Sequence, residues 1–324
     1  MKAIVCENWG GPELLKLRDL PSPVPGPGEV KIAIRAAGIN FPDLLIIQKK
    51  YQHQPPLPFT PGAEVAGEVV ALGPGVSDLR VGDRVLAACS TGGFAEEVTV
   101  KAEKCIVIPP NVAFDVAAAF TLAYATGWHA LMDRGELKPG ETVLVLGAGG
   151  GVGLAAVEVA KAAGARVVAA ASSEEKLAVC RAHGADETIN YSEEDLRAGI
   201  ARTTANRGPD VIYDPVGGKY AEPAFRSIAW RGRYLVIGFA SGAIPSLALN
   251  LPLLKGASIV GVLWGAFAQR EPERHKEGMR TLLAWLAEGK LKPLISHRYR
   301  LAEVPQALAD MAARKIIGKT VMVP

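Results

Sequence analysis

The chain has 324 residues, of which 49% are hydrophobic and 21% are charged, and this composition excludes a disordered protein. Its 36 basic and 33 acidic residues nearly balance without long runs of one sign, which argues against binding to nucleic acids or membranes. No apolar run reaches the roughly 18 residues of a membrane helix, and the N-terminus lacks the form of a signal peptide. Four well-separated cysteines without a C-x-x-C pair indicate reduced thiols. We therefore expect a soluble, cytoplasmic protein of two domains.

The first 110 residues have the pattern of a compact β domain. Residues Val30 to Ala36 alternate apolar and polar side chains, which predicts a half-buried strand. A second apolar run, Val65 to Leu72, and shorter runs up to Ile108 are separated by glycine and proline. Many short strands separated by glycine- and proline-containing turns are typical of a barrel-like domain.

From about Asn111 onward, helices and strands alternate. The first predicted strand, Thr142 to Leu146, is followed by a helix from Val152 to Ala163. A strand from Arg166 to Ala171 and a helix from Glu174 to His183 come next. This rhythm predicts an α/β domain with a doubly wound parallel sheet. Later strands and helices are predicted at Asp210 to Tyr213, Ala221 to Ala229, Arg233 to Ile237, Glu271 to Glu288, His297 to Leu301, Val304 to Ala313 and Thr320 to Val323.

A glycine-rich segment joins the first of these strands to the helix after it. A dinucleotide-binding turn needs small residues at three places, and here they are Ala148, Gly150 and Gly153. The backbone N–H groups at the start of the helix can then bind phosphates. The predicted cofactor contacts in this segment are Ala148, Gly149, Gly150, Gly151 and Val152. A merely flexible turn does not explain why the glycines gather at one strand–helix junction.

The end of the following strand indicates which cofactor binds. An NAD site usually places an acidic residue there, on the ribose 2′-hydroxyl. This chain has Ser172 and Ser173, with Lys176 one turn later, and these side chains suit a 2′-phosphate. The alternative is that Ser172 begins a capping box with Glu175 and that Lys176 is solvated, and both can hold at once. We therefore expect NADPH in preference to NADH.

Four further motifs, together with the glycine-rich turn, connect the chain to a known family: Gly62 to Gly67, Val81 to Val85, Gly92 to Glu96 and Ala125 to Gly127. Together they resemble the medium-chain dehydrogenase/reductase superfamily over essentially the whole chain. The resemblance implies a β-rich GroES-like catalytic domain formed by residues 1–122 and 266–324. It also implies a Rossmann NADP-binding domain formed by residues 123–265.

The zinc-binding members of this family differ from the chain at the metal site. They have Cys where Asn40 stands and His where Ala63 stands, and their third ligand falls near Leu122. The four-cysteine structural zinc lobe is also missing, so no metal is expected. The chain thus resembles the zinc-independent, zeta-crystallin-like quinone oxidoreductases. The segments from Asn250 to Lys255 and from Val262 to Gly265 resemble the quinone oxidoreductase-like subgroup.

Absence of the zinc ligands has a mechanistic consequence. Oxidation of an alcohol needs a Lewis acid that stabilises an alkoxide. Without one, the easier chemistry is hydride transfer from NADPH to a quinone or an α,β-unsaturated carbonyl compound. The alternatives are an enoyl-CoA or acryloyl-CoA reductase of the same fold and a non-catalytic, crystallin-like NADPH-binding protein.

The resemblance supplies three catalytic candidates, two of which also contact the cofactor. Asn40 replaces a zinc ligand, but it can also be a turn residue before Phe41-Pro42. Tyr51 resembles the family's tyrosine in the substrate cleft, or is a partly buried surface tyrosine. Thr126 matches the threonine beside the nicotinamide, or bonds a preceding helix carbonyl. Glu64 is expected to be structural.

The remaining cofactor candidates lie in the second half of the chain. Tyr191 resembles the residue that packs at the adenosine phosphate, with an ordinary surface aromatic as the alternative. Gly238, Phe239 and Ala240 follow a predicted strand and are expected beside the nicotinamide. Lys319 matches a family position where a basic side chain reaches the cofactor phosphates, although a lone lysine is usually solvated.

Residues Ile244 to Gly265 are strongly apolar. They can form one buried edge strand, or a strand that pairs across a two-fold axis and covers the sheet edge. The resemblance also implies a homodimer, which favours the second interpretation.

Overall fold

The structure, a computed structural model, describes all residues from Met1 to Pro324. The chain divides into two compact units, and the first is formed by both ends of the chain, Met1–Leu122 and Pro293–Pro324. The second unit is Ala123–Lys292. Residues 266–292, which the resemblance assigned to the first domain, pack within the second unit instead. The reason is aromatic packing, since the Phe267 ring stacks on His129 with the ring centroids 4.0 Å apart.

Helices and strands follow one another along the chain in three segments. The first segment contains β1 (Lys2–Val5), β2 (Lys16–Asp19), β3 (Glu29–Ile39), α1 (Phe41–Ile47), β4 (Glu64–Leu72), β5 (Arg84–Ala88), β6 (Glu97–Lys101), β7 (Cys105–Val107) and α2 (Phe114–Ala118). The middle segment contains α3 (Thr121–Trp128), a π-helical turn (His129–Arg134), β8 (Thr142–Leu146), α4 (Gly151–Ala162), β9 (Arg166–Ala171), α5 (Glu174–Ala182), β10 (Glu187–Asn190), α6 (Leu196–Thr203), β11 (Val211–Asp214), α7 (Ala221–Arg226), β12 (Arg233–Val236), α8 (Asn250–Lys255), β13 (Ser258–Gly261), α9 (Trp264–Arg270) and α10 (Pro272–Ala287). The last segment contains β14 (Ile295–Arg300), α11 (Val304–Ala312) and β15 (Lys319–Val323). Short 3₁₀ helices lie at Pro12–Leu14, Ala102–Lys104, Gly218–Tyr220 and Leu301–Glu303.

The first unit is built around a seven-stranded sheet. Its strand order is β14-β15-β3-β4-β5-β7, and β6 also pairs with β3. The predicted alternation in β3 is confirmed, because Val30, Ile32 and Ile34 are buried while Lys31 and Arg35 point away from the core. The chain's last strand, β15, pairs antiparallel with β3, which ties the C-terminus to the N-terminal half of the unit.

The second unit is a six-stranded parallel sheet with the order β10-β9-β8-β11-β12-β13. The predicted strands Thr142–Leu146 and Arg166–Ala171 have the observed bounds, and their side chains are almost entirely buried. Consecutive strands run outward in opposite directions from the boundary between β8 and β11. In a doubly wound sheet this switch point is where ligands bind, beyond the carboxyl ends of the strands.

The apolar segment from Ile244 to Gly265 is neither buried nor one strand. It forms α8 and the short edge strand β13, and several of its side chains are exposed, among them Ile244 (76%), Leu249 (83%) and Leu253 (78%). The expectation of one buried edge strand is therefore wrong, because β13 spans only Ser258–Gly261 and most of its side chains are exposed. None of the helices is long and apolar enough to span a membrane.

Candidate functional site

The glycine-rich turn lies at the carboxyl end of β8 and leads directly into α4. Gly147 has φ +59°, a left-handed conformation that glycine adopts without strain. A Cβ at Gly153 would lie 2.3 Å from the Gly147 carbonyl oxygen, so only glycine lets the helix pack this closely against the strand. A Cβ at Gly150, in contrast, would have only that oxygen within 4 Å, at 3.5 Å.

This junction has the features of a phosphate cradle. The N–H groups of Gly151, Val152 and Gly153 open α4 and have no intrahelical acceptor. The N-cap residue Gly150 provides no side chain to satisfy them. Because the space beside Gly150 is open, a dinucleotide phosphate fits there and meets the positive end of the helix dipole.

Ser172, Ser173 and Lys176 follow β9 at this same edge of the sheet. Ser173 is the N-cap of α5, where its hydroxyl accepts a hydrogen bond from the Lys176 backbone N–H at 3.4 Å. The predicted capping box that begins at Ser172 is thus wrong by one residue, and Ser172 is exposed beyond the helix. The Lys176 side chain runs beside Gly149, since a Cβ at Gly149 would lie 2.7 Å from Lys176 Cβ. Lys176 therefore stands next to the glycine-rich turn.

Tyr191 and residues Gly238–Ala240 follow the carboxyl ends of two other strands. The Tyr191 backbone N–H donates to the Ala171 carbonyl at 3.2 Å, which places Tyr191 beside the end of β9. Its ring lies against Tyr220, with the ring centroids 4.5 Å apart. Phe239 is about one-third exposed and follows β12. Parallel strands end at one edge of the sheet, so these residues share the edge with the glycine-rich turn.

Asp214 is a buried residue of this edge that the sequence analysis did not identify. One of its carboxylate oxygens accepts hydrogen bonds from the N–H groups of Val216 and Gly217, at 2.7 and 2.9 Å. The Tyr234 hydroxyl donates to the other oxygen. Val216 in turn lies where a side chain at Gly147 would go. An Asp followed by Pro-Val-Gly is a recognisable turn signal that could have revealed this support.

Thr126, the third catalytic candidate, lies on α3 and is half-buried. Its hydroxyl makes no hydrogen bond to a preceding helix carbonyl, unlike the hydroxyls of Thr203 and Thr204 on α6. The hydroxyl therefore keeps its capacity for a ligand.

The first unit contains a buried polar cluster formed by Asn40, Glu64 and Lys319. Asn40 Nδ2 donates to Glu64 Oε1 at 2.8 Å, and Lys319 Nζ donates to this oxygen at 2.9 Å. Lys319 Nζ also donates to Asn40 Oδ1. The backbone N–H of Leu122 donates to Glu64 Oε2 at 2.8 Å. Glu64 is only 1% exposed, and these donors offset the cost of burying its charge.

The cluster limits what Asn40 can do. Its Nδ2 group donates both to Glu64 and, at 3.3 Å, to the Gly38 carbonyl, so neither of its hydrogens remains for a ligand. Only Oδ1 has spare capacity, as an acceptor. Asn40 occupies the N-cap position of α1, and its backbone N–H donates to Asp43 Oδ2 in the first turn of this helix. The alternative that Asn40 is a turn residue before Phe41-Pro42 therefore accounts for its backbone position. It does not account for its side-chain amide, which is hydrogen-bonded within the cluster.

Lys319 is 5% exposed, and its ammonium group lies inside the cluster. The alternative of a solvated lysine is therefore wrong. The predicted contact of Lys319 with cofactor phosphates stays a prediction, because two of its three N–H groups are used by Glu64 and Asn40.

Gly38 is a residue of this site whose importance the sequence did not reveal, whereas Glu64 was expected to be structural. A Cβ at Gly38 would lie 2.3 Å from Glu64 Oε1 and 2.3 Å from the Ala118 carbonyl oxygen. Only glycine at this position leaves room for the carboxylate. The family motif from Gly62 to Gly67 contains Glu64, but nothing local in the sequence indicates its close approach to Gly38.

Asp43 is a second buried carboxylate beside the cluster. Its Oδ2 accepts a hydrogen bond from the Asn40 backbone N–H at 2.8 Å, while Oδ1 has no partner. Burial raises the pKa of Asp43 from 3.8 to about 7, and the Glu64 charge adds to the increase. The backbone N–H of Asn40, the Lys319 charge and the nearby Gly62 backbone oppose the increase without cancelling it. A carboxyl group with this pKa exchanges its proton near neutral pH.

Tyr51 lies in the loop after α1 and is half-buried. Burial raises the pKa of its phenol above 10, and the Asp43 charge raises this pKa further. The phenol thus keeps its proton at neutral pH and can donate a hydrogen bond.

The zinc implied by relatives does not fit these residues. Asn40, Ala63 and Leu122 occupy the ligand positions and offer one amide oxygen and two apolar side chains. The amide oxygen already accepts from an ammonium group, which repels a metal cation. No group of three or more His, Cys, Asp and Glu side chains is arranged to hold a metal ion.

Two family models match the chain. The model of the alcohol dehydrogenase GroES-like domain matches residues 26–110, and that of the zinc-binding dehydrogenases matches residues 151–287. The words "zinc-binding" describe the second family and not this chain. The matched residues 151–287 include none of the zinc-ligand positions, which are Asn40, Ala63 and Leu122.

Relatives match over the full length. A quinone oxidoreductase-like protein 2 homolog of Nematostella vectensis is 38% identical and covers 99% of this chain and 88% of its own. A quinone oxidoreductase of Pseudomonas aeruginosa is 37% identical over 100% of this chain and 99% of its own. The structure of Escherichia coli quinone oxidoreductase complexed with NADPH superimposes with a TM-score of 0.94, at 30% identity over 100% of both chains.

Proposed function

The chain belongs to the quinone oxidoreductase family of the medium-chain dehydrogenase/reductase superfamily, and from this membership we propose that it is an NADPH-dependent, zinc-independent reductase of quinones or α,β-unsaturated carbonyl compounds. The observation that carries the proposal is the β8–α4 junction, with its unsatisfied N–H groups and the open space beside Gly150.

NADPH supplies the hydride, and residues of this chain hold the NADPH molecule. The N–H groups of Gly151 and Val152 bind the pyrophosphate, and Ala148, Gly149 and Gly150 let the backbone approach it. Ser172, Lys176 and Tyr191 surround the 2′-phosphate, because a hydroxyl and an ammonium attract it while no carboxylate ends β9. Gly238, Phe239 and Ala240 border the nicotinamide, and the Thr126 hydroxyl orients it. The relative from Escherichia coli, whose structure holds NADPH, supports this choice of cofactor.

The proposed class of substrate follows from the hydrogen-bond donors that the site can still offer. Reduction of a quinone or enone places negative charge on a carbonyl oxygen, which a hydrogen-bond donor must stabilise. Tyr51 is that donor, since its phenol is protonated and half-buried. Asn40 orients the substrate or cofactor only as an acceptor through Oδ1, because its N–H groups are used.

Mixing the pure protein with NADPH and a panel of quinones, enals and enoyl-CoA esters tests the proposal. We expect NADPH absorbance to fall with a quinone or an enone. A fall with CoA esters alone would reassign the chain to the enoyl-CoA reductases. Tight NADPH binding without turnover on any acceptor would instead favour a non-catalytic, crystallin-like protein.

A metal assay in the same preparation tests zinc independence. We expect turnover without bound zinc and no loss of activity after treatment with a chelator. One zinc per chain, required for activity, would contradict the proposal.

The protein is also proposed to be a homodimer. The edge strand β13 leaves one row of backbone groups unpaired. Exposed apolar side chains lie on this strand and on segments close to it in the fold or the chain, namely Trp230, Leu249, Leu253, Leu254, Ile259 and Leu263. A second copy that pairs with this strand covers both features. The four free cysteines fit a reducing compartment, which supports a cytoplasmic location.

A further inference from the structure

A basic cavity of about 510 Å³ lies in the second unit, between α6 and the carboxyl ends of α7 and α8. This volume falls within the roughly 300–1,000 Å³ of small-molecule sites. The residues that line the cavity include four basic residues and one acid, Asp195. The basic residues are Arg197, Arg207, Arg226 and Lys255, and the cavity that they line is called the basic groove below.

The basic groove reaches the edge of the parallel sheet that lies opposite the glycine-rich turn. Arg207 precedes β11 and Lys255 precedes β13, so both lie where strands begin. The glycine-rich turn follows β8 and thus lies where a strand ends. Because all six strands are parallel, their beginnings and their ends lie at opposite edges of the sheet. The groove therefore extends away from the dinucleotide site.

Small side chains on α6 open the groove, and charged groups supply its free donors. Arg197, Ala201 and Thr204 recur at the three- to four-residue spacing of one helix face, and all three line the cavity. The hydroxyls of Thr204 and Ser227 already donate to carbonyls of the preceding helical turns, at 2.6 and 2.9 Å. The guanidinium and ammonium groups therefore remain as donors for a ligand.

Three of the four cations of the basic groove have no partner. The side chains of Arg197, Arg207 and Lys255 make no hydrogen bond or ion pair, whereas Arg226 pairs with Glu222 at 2.7 Å. The Asp195 carboxylate caps α6, where it accepts the Ala198 N–H at 3.0 Å. The groove is thus left with an excess of positive charge.

Other basic side chains of this unit do form ion pairs with carboxylates. They are Lys161, Arg166, Arg181, Arg202 and Arg233. The unpaired cations of the groove therefore differ from the ordinary pattern of this unit.

Helix ends account for two of the four cations but not for the other two. Arg226 and Lys255 lie in the last turns of α7 and α8, where the helix dipole favours a cation. Arg197 lies in the first turn of α6, where the dipole disfavours a cation. Arg207 follows the end of α6 and has no acid as a partner. An anion bound in the groove offsets the unfavourable position of Arg197.

We propose that the basic groove binds a small polyanion that carries a di- or triphosphate group. The planar fork of a guanidinium binds phosphate oxygens in pairs, and a lysine adds a point charge. Several cations along one cavity match a chain of phosphates better than they match a single carboxylate. The site goes beyond the proposed function, because none of the residues that line the groove is assigned to the cofactor or the substrate.

Calorimetric titration with inorganic tripolyphosphate in excess NADPH tests the proposal. We expect one tripolyphosphate to bind per chain. Arg197→Gln and Arg207→Gln should each weaken binding by roughly tenfold or more, because each removes a charge-assisted contact. Arg80→Gln is the matched control, since Arg80 is an exposed arginine of the first unit without an ion pair, and it should leave the affinity unchanged.

Lys176→Met is the control for the dinucleotide site, and it should also leave the affinity for tripolyphosphate unchanged. Equal affinity in wild type, Arg197→Gln and Arg207→Gln would overturn the proposal. A loss of affinity in Lys176→Met alone would overturn it too, because the anion would then occupy the dinucleotide site. This comparison of variants does not depend on reductase activity, so the proposed function can fail while the groove stands.

Thermal unfolding of the wild type provides a measurement without any substitution. Tripolyphosphate should raise the melting temperature in excess NADPH, since a ligand that binds only the folded chain stabilises it. No rise at any tripolyphosphate concentration would contradict the site. Titration with ATP then distinguishes the source of the phosphates, and both of its outcomes support the site: tighter binding than tripolyphosphate indicates a nucleotide, and equal binding indicates an inorganic polyphosphate.

Discussion

Glu64 and Asp43 are buried carboxylates of one unit with opposite surroundings. Glu64 accepts three strong hydrogen bonds and is held as the partner of Lys319. Asp43 accepts one at Oδ2, from the Asn40 backbone, and its Oδ1 is buried without a hydrogen-bond partner. At the residue scale, the number of donors around each carboxylate decides which one binds a proton.

This difference predicts how the stability of the protein depends on pH. Asp43 binds its proton more tightly in the folded chain, where its pKa is about 7, than in the unfolded chain. Its contribution is therefore complete at low pH and is lost as the pH rises through about 7. Between about pH 5 and pH 8 the free energy of unfolding should fall by roughly 2.5 kcal/mol more in wild type than in Asp43→Asn. Urea unfolding at several pH values measures this, and parallel curves for both proteins would contradict it.

Lys176 leads to a prediction about the choice of cofactor. Lys176→Asp should weaken NADPH binding by more than tenfold and leave NADH binding unchanged or stronger, since a carboxylate repels a 2′-phosphate. Lys176→Met is the matched control, because its stem can keep the packing against Gly149 while only the charge is lost. Fluorescence titration with both cofactors provides the affinities. Equal affinities for NADPH in wild type and Lys176→Asp would remove Lys176 from the phosphate site.

At the scale of elements, the β8–α4 junction gives two glycines different tasks. Gly153 allows the helix to touch the strand, whereas Gly150 leaves space in front of the helix. The φ of Gly150 is −84°, which any residue adopts, so its side chain is absent for a reason other than backbone strain.

A pair of alanine variants separates these tasks. Gly153→Ala should destabilise the fold by about 1–3 kcal/mol, because its Cβ would lie 2.3 Å from the Gly147 oxygen. Gly150→Ala should leave the melting temperature almost unchanged but weaken NADPH binding by roughly tenfold or more, since the methyl group occupies the phosphate space. Thermal unfolding and cofactor titration measure both quantities. Unchanged NADPH affinity in Gly150→Ala would locate the pyrophosphate elsewhere.

At the scale of the whole molecule, both ends of the chain form one unit and the middle forms the other. The first unit is completed only when β14, α11 and β15 join the N-terminal strands. The second unit keeps α9 and α10 because the Phe267 ring of α9 stacks on His129 of the π-helical turn and the Trp128 ring of α3 lies close against Gly278 of α10.

The exposed edge strand leads to a prediction about assembly. Ile259→Lys should shift the protein from dimer to monomer, because a charge on β13 opposes pairing with a second copy. Val81→Lys is the control, since Val81 is an exposed apolar residue of a loop in the other unit. Analytical ultracentrifugation distinguishes the two states. A wild-type protein that is monomeric at all concentrations would refute the dimer.

The sequence by itself determined the features that depend on local pattern. The apolar run Thr142–Leu146 and the glycines after it correctly predicted the strand, the turn and the helix. This prediction succeeds because the conformation of these elements depends mainly on residues close together in the sequence. The residues Asn40, Ala63 and Leu122 are also read directly from the sequence, but that they stand at zinc-ligand positions is what the family resemblance implies.

Only the tertiary structure decided how the polar residues are used. Lys319 meets Asn40 across 279 residues of sequence, and this contact makes a predicted phosphate ligand the partner of a buried amide. The unpartnered oxygen of Asp43 and the exposed apolar surface around β13 likewise depend on what packs nearby. Hydrogen-bond saturation and burial are properties of neighbours in space, and residues far apart in the chain become neighbours only when the chain folds.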